Sequence, residues 1–307
     1  MSWSRKNLFD LEDWDRSDFE VFLELASKHK ASLDTPKRRG ELLRGRTVVN
    51  LFFEPSTRTR TSFEMAEQFL GAEVINWASS GSSLSKGETL RDTAWTLKAM
   101  GIDSIVMRHG MAGFPMYLGK LLPDVSIING GDGARSHPTQ ALLDLLSAYE
   151  RLGSLDGVKM VVAGDVKHSR VARSVAKAFR TMGALVSFCG PRSLMPSDLG
   201  SFGVSSYREN AKDAMREARI VYLLRIQRER QDQGLFPSFE EYHRFFGASR
   251  EDISEDAVVM HPGPINRGVE IASDVADGPN SLILDQVRSG VAARMAVLEL
   301  CLGGEAI

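Results

Sequence analysis

The chain reads as an α/β protein of two domains, each a mainly parallel sheet flanked by helices. Three observations predict this. Short β-branched runs alternate with helical patterns, which implies parallel strands covered on both faces. The pattern restarts after RLGSLDG at 151–157. The length, 307 residues, suits about two domains of roughly 150 residues each.

The elements follow in order. Ser17 and Glu20 have capping-box spacing, so the first helix is expected to start at Ser17, with Phe19, Phe22, Leu23 and Ala26 near one face. TVVNLFF (47–53) reads as a buried strand, and 56–70 as a helix stopped at Gly71. AEVINW (72–77), SIVMR (104–108) and VSII (125–128) are further strands. A helix is expected from Pro138 to about Leu152, proline being suited to a first turn. In the second half, VKMVVAG (158–164), ALVSF (184–188), ARIVYLL (218–224) and DAVVM (256–260) read as strands, and Ser169–Met182 as a helix. The stretch after Arg225, up to about Ser254, reads as irregular. The last helical stretch, about Asp285 to Leu302, has no strand after it and can pack back on either domain.

Composition narrows the function. Lys and Arg number 38 against 40 Asp and Glu, a net charge of −2, so broad nucleic-acid or membrane-surface binding is not expected. Cys189 and Cys301 are too few and too far apart for a disulfide framework or a clustered metal site. The opening MSWSRKNLFDLEDW lacks the apolar run of a signal peptide, and no run approaches the ~18 apolar residues of a spanning helix. A cytoplasmic setting is the expectation.

In open α/β sheets ligands sit beyond the strand carboxyl ends. Glu54-Pro55-Ser56-Thr57-Arg58-Thr59-Arg60-Thr61 follows the first strand. It crowds hydroxyls and arginines at a helix N-terminus, where the dipole favours an anion such as phosphate. A solvated cap with two surface arginines is the plainer alternative. The P-loop spacing is absent. Arg108-His109 follows the third strand, and a glycine-rich run from Asn129 leads to His137-Pro138-Thr139-Gln140, placing His137 and Gln140 on one helix face. SSGSSLSKGET (79–89), with the cation Lys86, reads on composition as a mobile surface loop. In the second half, Gly164–Arg170, Arg225–Arg230 and His261-Pro262-Gly263-Pro264 follow strands, the last as a rigid turn lined by carbonyls.

Taken together, FEPSTRTRTSFE, SKGETLRDT, HPTQALLDLL, RIQRER and HPGP resemble the catalytic chains of the aspartate carbamoyltransferase family, in the right order over nearly the whole chain. Ornithine carbamoyltransferases typically carry H-C-L-P where this chain has His261–Pro264, and an S-M-G motif absent here. The resemblance implies the carbamoyltransferase fold, with a carbamoyl phosphate-binding domain over 1–150, an aspartate-binding domain over 151–286, and a C-terminal helix over 287–307 packing back on the first domain. It implies that Ser56, Thr57, Arg58 and Thr59 hold the phosphate. Arg108, His137 and Gln140 address the carbamoyl group, and Pro262, Gly263 and Pro264 present or shape carbonyls toward its nitrogen. Arg170, Arg225 and Gln227 bind the aspartate carboxylates. Lys86 and a nearby serine, Ser83 or else Ser82, enter from a neighbouring subunit of a homotrimer, which replaces the plain reading of that loop. HPGPINRGVEI (261–271) resembles relatives that assemble with dihydroorotase or an inactive homologue of it.

No metal or other cofactor is expected. The five cations Arg58, Lys86, Arg108, Arg170 and Arg225 answer the roughly four negative charges of carbamoyl phosphate and aspartate. Arg58, Thr59, Lys86, Arg108 and His137 are the expected catalytic set, with Thr59, Arg108 and His137 as oxyanion donors. Glu54 and Arg230 are expected to pair when the domains close. The competing readings are a carbamoyltransferase for another amine such as ornithine, a non-catalytic anion-binding homologue, and, weakly, a dinucleotide oxidoreductase, which lacks its glycine fingerprint.

Overall fold

The computed structural model describes residues 3, 5–35, 39–78, 88–204, 206–226 and 238–303. Ser82, Ser83, Lys86, Gln227 and Arg230 lie outside the described residues. The chain divides into two units, one of Met1–Leu146 with Val287–Ile307, the other Ser147–Gln286.

The first unit is built on a four-stranded sheet in the order β2-β1-β3-β4, comprising β1 (Thr47–Phe52), β2 (Glu73–Ala78), β3 (Ser104–His109) and β4 (Ser126–Asp132). Every pair is parallel, with Val48 opposite both Val74 and Ser104, and Ser104 opposite Ser126. β1 is buried on both faces after its first residue, as a strand covered by helices must be. Val49, Leu51, Leu97, Ile105, Met107, Leu118 and Ile127 form one apolar cluster against it.

Two local expectations are corrected here. Helix α1 runs Arg16–Ser32, and its cap is Asp15 rather than Ser17. Asp15 and Asp18 close the capping box, and the Ser17 hydroxyl instead donates to Asp15 Oδ1 at 2.7 Å. Phe19, Phe22, Leu23 and Ala26 are buried as the periodicity requires. Strand β4 runs through Gly130-Gly131 to Asp132, four residues beyond the apolar run; Asn129 Oδ1 accepts from the Gly131 N–H (2.7 Å), and Gly131 takes φ +120°. Two short helices, α3 (Leu90–Ala99) and α4 (Phe114–Leu121), carry connections that had no sequence assignment. Between β1 and β2 lies α2 (Thr57–Phe69), and α5 (Pro138–Leu152) leaves the end of β4.

The second unit holds five parallel strands in the order β7-β6-β5-β8-β9: β5 (Lys159–Ala163), β6 (Leu185–Cys189), β7 (Ser206–Arg208), β8 (Ile220–Leu223) and β9 (Val258–Met260). Helix α6 (Arg170–Thr181) is capped by Ser169, whose Oγ accepts from the Val171 and Ala172 N–H groups. Helix α7 (Ala211–Glu217) precedes β8. Among the described residues, the stretch expected to be irregular contains α8 (Phe239–Phe246) and a 3-10 turn at Arg250–Asp252. Gly164 ends β5 with φ +128°, and a Cβ there would stand 2.9 Å from the Leu224 carbonyl oxygen. Only glycine lets these two strand ends close together. A short α9 (Ser273–Ala276) and the long α10 (Ile283–Leu302) follow β9. Within the first unit, α10 is tied to α1 by Lys30 Nζ to Ser289 Oγ (2.9 Å) and His29 Nε2 with Glu299 Oε2 (2.6 Å).

One buried acid sits in the first core. Glu67 on α2 is 0% exposed. It accepts from Asn50 Nδ2 at 2.7 Å, and burial pushes its carboxyl from 4.5 up to about 8. Asn50 Oδ1 and Glu67 Oε1 have no hydrogen-bond partner among the described residues, a deficit that a proton on the carboxyl reduces. Because the folded value is raised, the proton favours the folded chain. That stability is complete below the ordinary 4.5 and is lost as pH rises through about 8. Glu67→Gln is therefore expected to flatten the fall in thermal midpoint between about pH 5 and 8.5, measured by calorimetry against the parent. An unchanged slope in the variant contradicts the assignment.

Candidate active site

Parallel strands send their carboxyl ends to one edge, and the predicted residues of the first unit gather there. Ser56 precedes α2 in extended conformation and makes no capping bond with its side chain, so its hydroxyl is spared for other partners. The first-turn N–H groups of α2 have no intrahelical acceptor, and the dipole makes this end electropositive. Thr57 and Arg58 stand exposed on that turn, while Thr59 is buried.

Arg108, at the end of β3, reaches across this turn. Its Nη1 lies 3.4 Å from Ser56 Oγ and 3.5 Å from both Thr59 Oγ1 and the Gly130 carbonyl oxygen. Its Nε lies 3.3 Å from Glu54 Oε2. Contacts this long are weak hydrogen bonds. These four contacts aim the guanidinium at the turn, and a compact anion can improve on each of them. Glu54 thus has a described partner in Arg108, within its own unit.

His137 comes from the loop after β4. It is 4% exposed, and its Nε2 stands 3.5 Å from Thr59 Oγ1. Gly133 (φ +51°) shapes that loop, for a Cβ there would stand 2.8 Å from the Ala112 N atom. The loops after β3 and β4 can therefore pack directly. Gln140, one turn into α5, donates from Nε2 to Asp144 Oδ1 at 2.9 Å. Ser56, Thr59, Arg108 and His137 are thus brought together, with Thr57 and Arg58 on the adjoining turn and Gln140 turned toward Asp144.

A second layer, missed in the sequence, supports this set. Arg294 of α10 is fully buried, with its guanidinium carbon 5.0 Å from the Phe63 ring centre and Nη1 donating to the Gly290 carbonyl at 2.8 Å. Burial lowers its pKa to about 9; Asp144 opposes this and Arg108 adds to it. It stays cationic at neutral pH, so positive charge lies behind the site as well as in it. A single arginine inside the apolar run VAARMAVL, and the i, i+4 spacing of Gln140 and Asp144, are the signals that pointed to this layer.

The second unit carries its own set. Arg170 is the first residue of α6. Arg225 follows β8, half-buried, and its Nε has no hydrogen-bond partner among the described residues. A buried guanidinium N–H left so is costly unless an anion meets it. His261, Pro262, Gly263 and Pro264 follow β9 as predicted, with Gly263 at φ +66° and a cis Gly263–Pro264 bond. The Gly263 N–H donates to His261 Nδ1 at 2.8 Å. Among the described residues, no three of His, Cys, Asp and Glu form a metal-binding group, and no helix is long and apolar enough to cross a membrane.

Two family models match the chain. "Aspartate/ornithine carbamoyltransferase, carbamoyl-P binding domain" matches residues 6–150, and "Aspartate/ornithine carbamoyltransferase, Asp/Orn binding domain" matches 156–301. The chain is 48% identical over 308 residues to the aspartate carbamoyltransferase catalytic subunit of Opitutus terrae, covering 99% of this chain and 98% of that relative. It is 47% identical over 307 residues to that of Moorella thermoacetica, covering 99% of each. Among solved structures, aspartate transcarbamoylase from Trypanosoma cruzi with N-(phosphonacetyl)-L-aspartic acid superposes with a TM-score of 0.84 at 33% identity, covering 96% of this chain and 95% of that one. The ornithine carbamoyltransferase of Pyrococcus furiosus superposes with a TM-score of 0.87 at 30% identity, covering 100% of both chains.

The geometry around Arg108 makes phosphate binding measurable without any assay of turnover. Inorganic phosphate is expected to raise the thermal midpoint of the wild type, by about 2.7 kcal/mol of stability at 100 times its dissociation constant. Arg108→Ala is expected to remove most of that shift. An equal shift in the variant contradicts the site.

Proposed function

The chain belongs to the aspartate/ornithine carbamoyltransferase family, and from that premise we propose that it transfers the carbamoyl group of carbamoyl phosphate to the α-amine of L-aspartate. The products are N-carbamoyl-L-aspartate and phosphate, a step of pyrimidine biosynthesis. The observation that carries this reading is the Arg108 guanidinium aimed among Ser56, Thr59 and Gly130, with Thr59 also beside His137.

Ser56, Thr57, Arg58 and Thr59 take the phosphate on the first turn of α2, where N–H groups and hydroxyls point outward. The amine of aspartate attacks the carbamoyl carbon, and negative charge develops on its oxygen. Arg108, Thr59 and His137 donate to that oxygen. Donors fixed before the reaction need no reorganisation as the charge appears, which is the main source of rate in such sites. Gln140 and the carbonyls of the Pro262–Pro264 turn receive the carbamoyl nitrogen. The leaving phosphate takes the amine proton. No covalent nucleophile is required, so orientation and charge placement carry the acceleration.

The choice of acceptor rests on charge. The fold is shared with an ornithine carbamoyltransferase and does not by itself choose between acceptors. Arg170 and Arg225, with Gln227, supply cationic and amide donors for two carboxylates, whereas a cationic acceptor needs carboxylates there. Asp165, the carboxylate of the loop that leads to Arg170, is buried and pairs with His168 at 2.8 Å. The relatives at 48% and 47% identity bear the aspartate name. Lys86 and Ser83, or Ser82 in its place, complete the site from a neighbouring subunit of a cytoplasmic homotrimer. Assembly with dihydroorotase or an inactive homologue of it, which the 261–271 resemblance suggests, would add to that trimer.

With carbamoyl phosphate present, aspartate is expected to yield carbamoyl-aspartate, and ornithine no product. Arg225→Ala is expected to raise the KM for aspartate by on the order of 100-fold or more, the scale for a buried charged hydrogen bond. Arg58→Ala and Lys86→Ala chains, each inactive alone, are expected to regain partial activity when mixed. Preference for ornithine contradicts the acceptor assignment, and absence of rescue contradicts the shared site.

A further inference from the structure

Glu270 and His261 are each 1% exposed, and neither is used by the reaction as derived above. The Glu270 carboxylate receives donors from three separate places in the chain. Its Oε1 accepts from His261 Nε2 at 3.2 Å and from the Asn266 N–H at 2.5 Å. Its Oε2 accepts from Asn266 Nδ2 at 3.3 Å and from the Ile226 N–H at 3.4 Å. Asn266 Nδ2 also donates to the Ile226 carbonyl at 2.7 Å, so the tie to the β8 end is double. A carboxylate offers about four acceptor directions, and here four N–H groups use them.

The histidine carries this arrangement onward. The Gly263 N–H donates to His261 Nδ1 at 2.8 Å, so that nitrogen bears no proton. A neutral imidazole then has its proton on Nε2, which is the donor that Glu270 needs. The His261 N–H is itself fixed on Gln286 Oε1 at 3.0 Å. Each end of the ring dictates the other. A donor in place of Glu270 Oε1 forces either a clash at Nε2 or a tautomer change that sets Nδ1–H against the Gly263 N–H.

Both segments so joined end in residues of the proposed site. Ile226 follows Arg225, and His261 starts the turn through Gly263 and Pro264. We infer that Glu270 is a positioning residue, which fixes the tautomer of His261 and thereby holds Arg225 and the Pro262–Pro264 carbonyls in one register. Its kinetic consequence rests on the reaction proposed above, while its structural content does not.

Two measurements test it. Nitrogen-15 NMR of the histidine rings, with His261 assigned through His261→Asn, is expected to show a neutral Nε2–H tautomer in the wild type. An Nδ1–H tautomer there overturns the inference. This spectrum stands whether or not carbamoyl-aspartate is formed, so failure of the reaction and failure of the inference are told apart. In turn, Glu270→Gln, which replaces one acceptor oxygen with an NH2 group, is expected to raise the KM for aspartate on the order of 10-fold, the scale of one buried hydrogen bond lost. The dissociation constant for inorganic phosphate, bound by the other unit, is expected to stay within about 2-fold, because its partners are untouched. In a His261→Asn background the same substitution is expected to cost about 2-fold or less, because the partners are coupled. Wild-type kinetic constants in Glu270→Gln, or a loss only in the amount of active protein, overturn the positioning role. If Glu270→Gln does not fold, Asn266→Ala, which removes the Nδ2 donor to Glu270 Oε2 and to the Ile226 carbonyl, is read by the same rise in the KM for aspartate.

Discussion

Arg108 reaches Glu54, Ser56, Thr59 and the Gly130 carbonyl at distances of 3.3–3.5 Å, and the chemistry of the first unit depends on that placement. Each of these long contacts can be replaced by a shorter, charge-assisted one when an anion arrives. Thr59 is shared between Arg108 and His137, so the same hydroxyl links the phosphate-binding turn to the candidate oxyanion donor. The buried Arg294 beneath Phe63 adds positive charge from behind. The field at the site is local, which reconciles anionic substrates with a chain of net charge −2.

The backbone supplies this aim cheaply in sequence terms. All strand pairs in both sheets are parallel, so loops that are far apart in the chain leave the same edge. Two glycines then bring neighbouring loops into contact, Gly133 against Ala112 and Gly164 against Leu224. A Cβ at Gly133 would stand 2.8 Å from the Ala112 N atom and one at Gly164 2.9 Å from the Leu224 carbonyl oxygen, so a side chain at either place forces the backbone apart. In the second unit the end of β8 is also tied by polar contacts, through Glu270 and Asn266.

Much of the scaffold was legible because its signals are short-range. β-Branched runs marked the strands of both sheets apart from the three-residue β7, and the residues just after them were the candidate site. Where two local signals competed, the structure decided. Asp15 outcompeted Ser17 for the α1 cap, since it can accept from the Asp18 N–H and still take the serine hydroxyl. The end of β4 was hidden by its glycines, which carry no strand preference of their own; the Gly131 N–H donates here to the Asn129 side chain. The eight-residue helices α4 and α8 are too short to show a clear period. Glu270, Asp144 and Arg294 were missed for a different reason. They stand behind the ligand-facing residues rather than among them, and Glu270 meets Ile226 across 44 positions. The family resemblance reached the ligand-facing residues, whose motifs are contiguous, and not the supports behind them.

The most direct test of the central claim is a crystal structure of the protein with carbamoyl phosphate bound. The account predicts phosphate oxygens on the first turn of α2, and the carbamoyl oxygen within about 3 Å of Arg108, Thr59 and His137 donors, the ordinary span of strong hydrogen bonds. Carbamoyl phosphate bound elsewhere, with Arg108 still resting on Glu54 and Ser56 at its present distances, would contradict it.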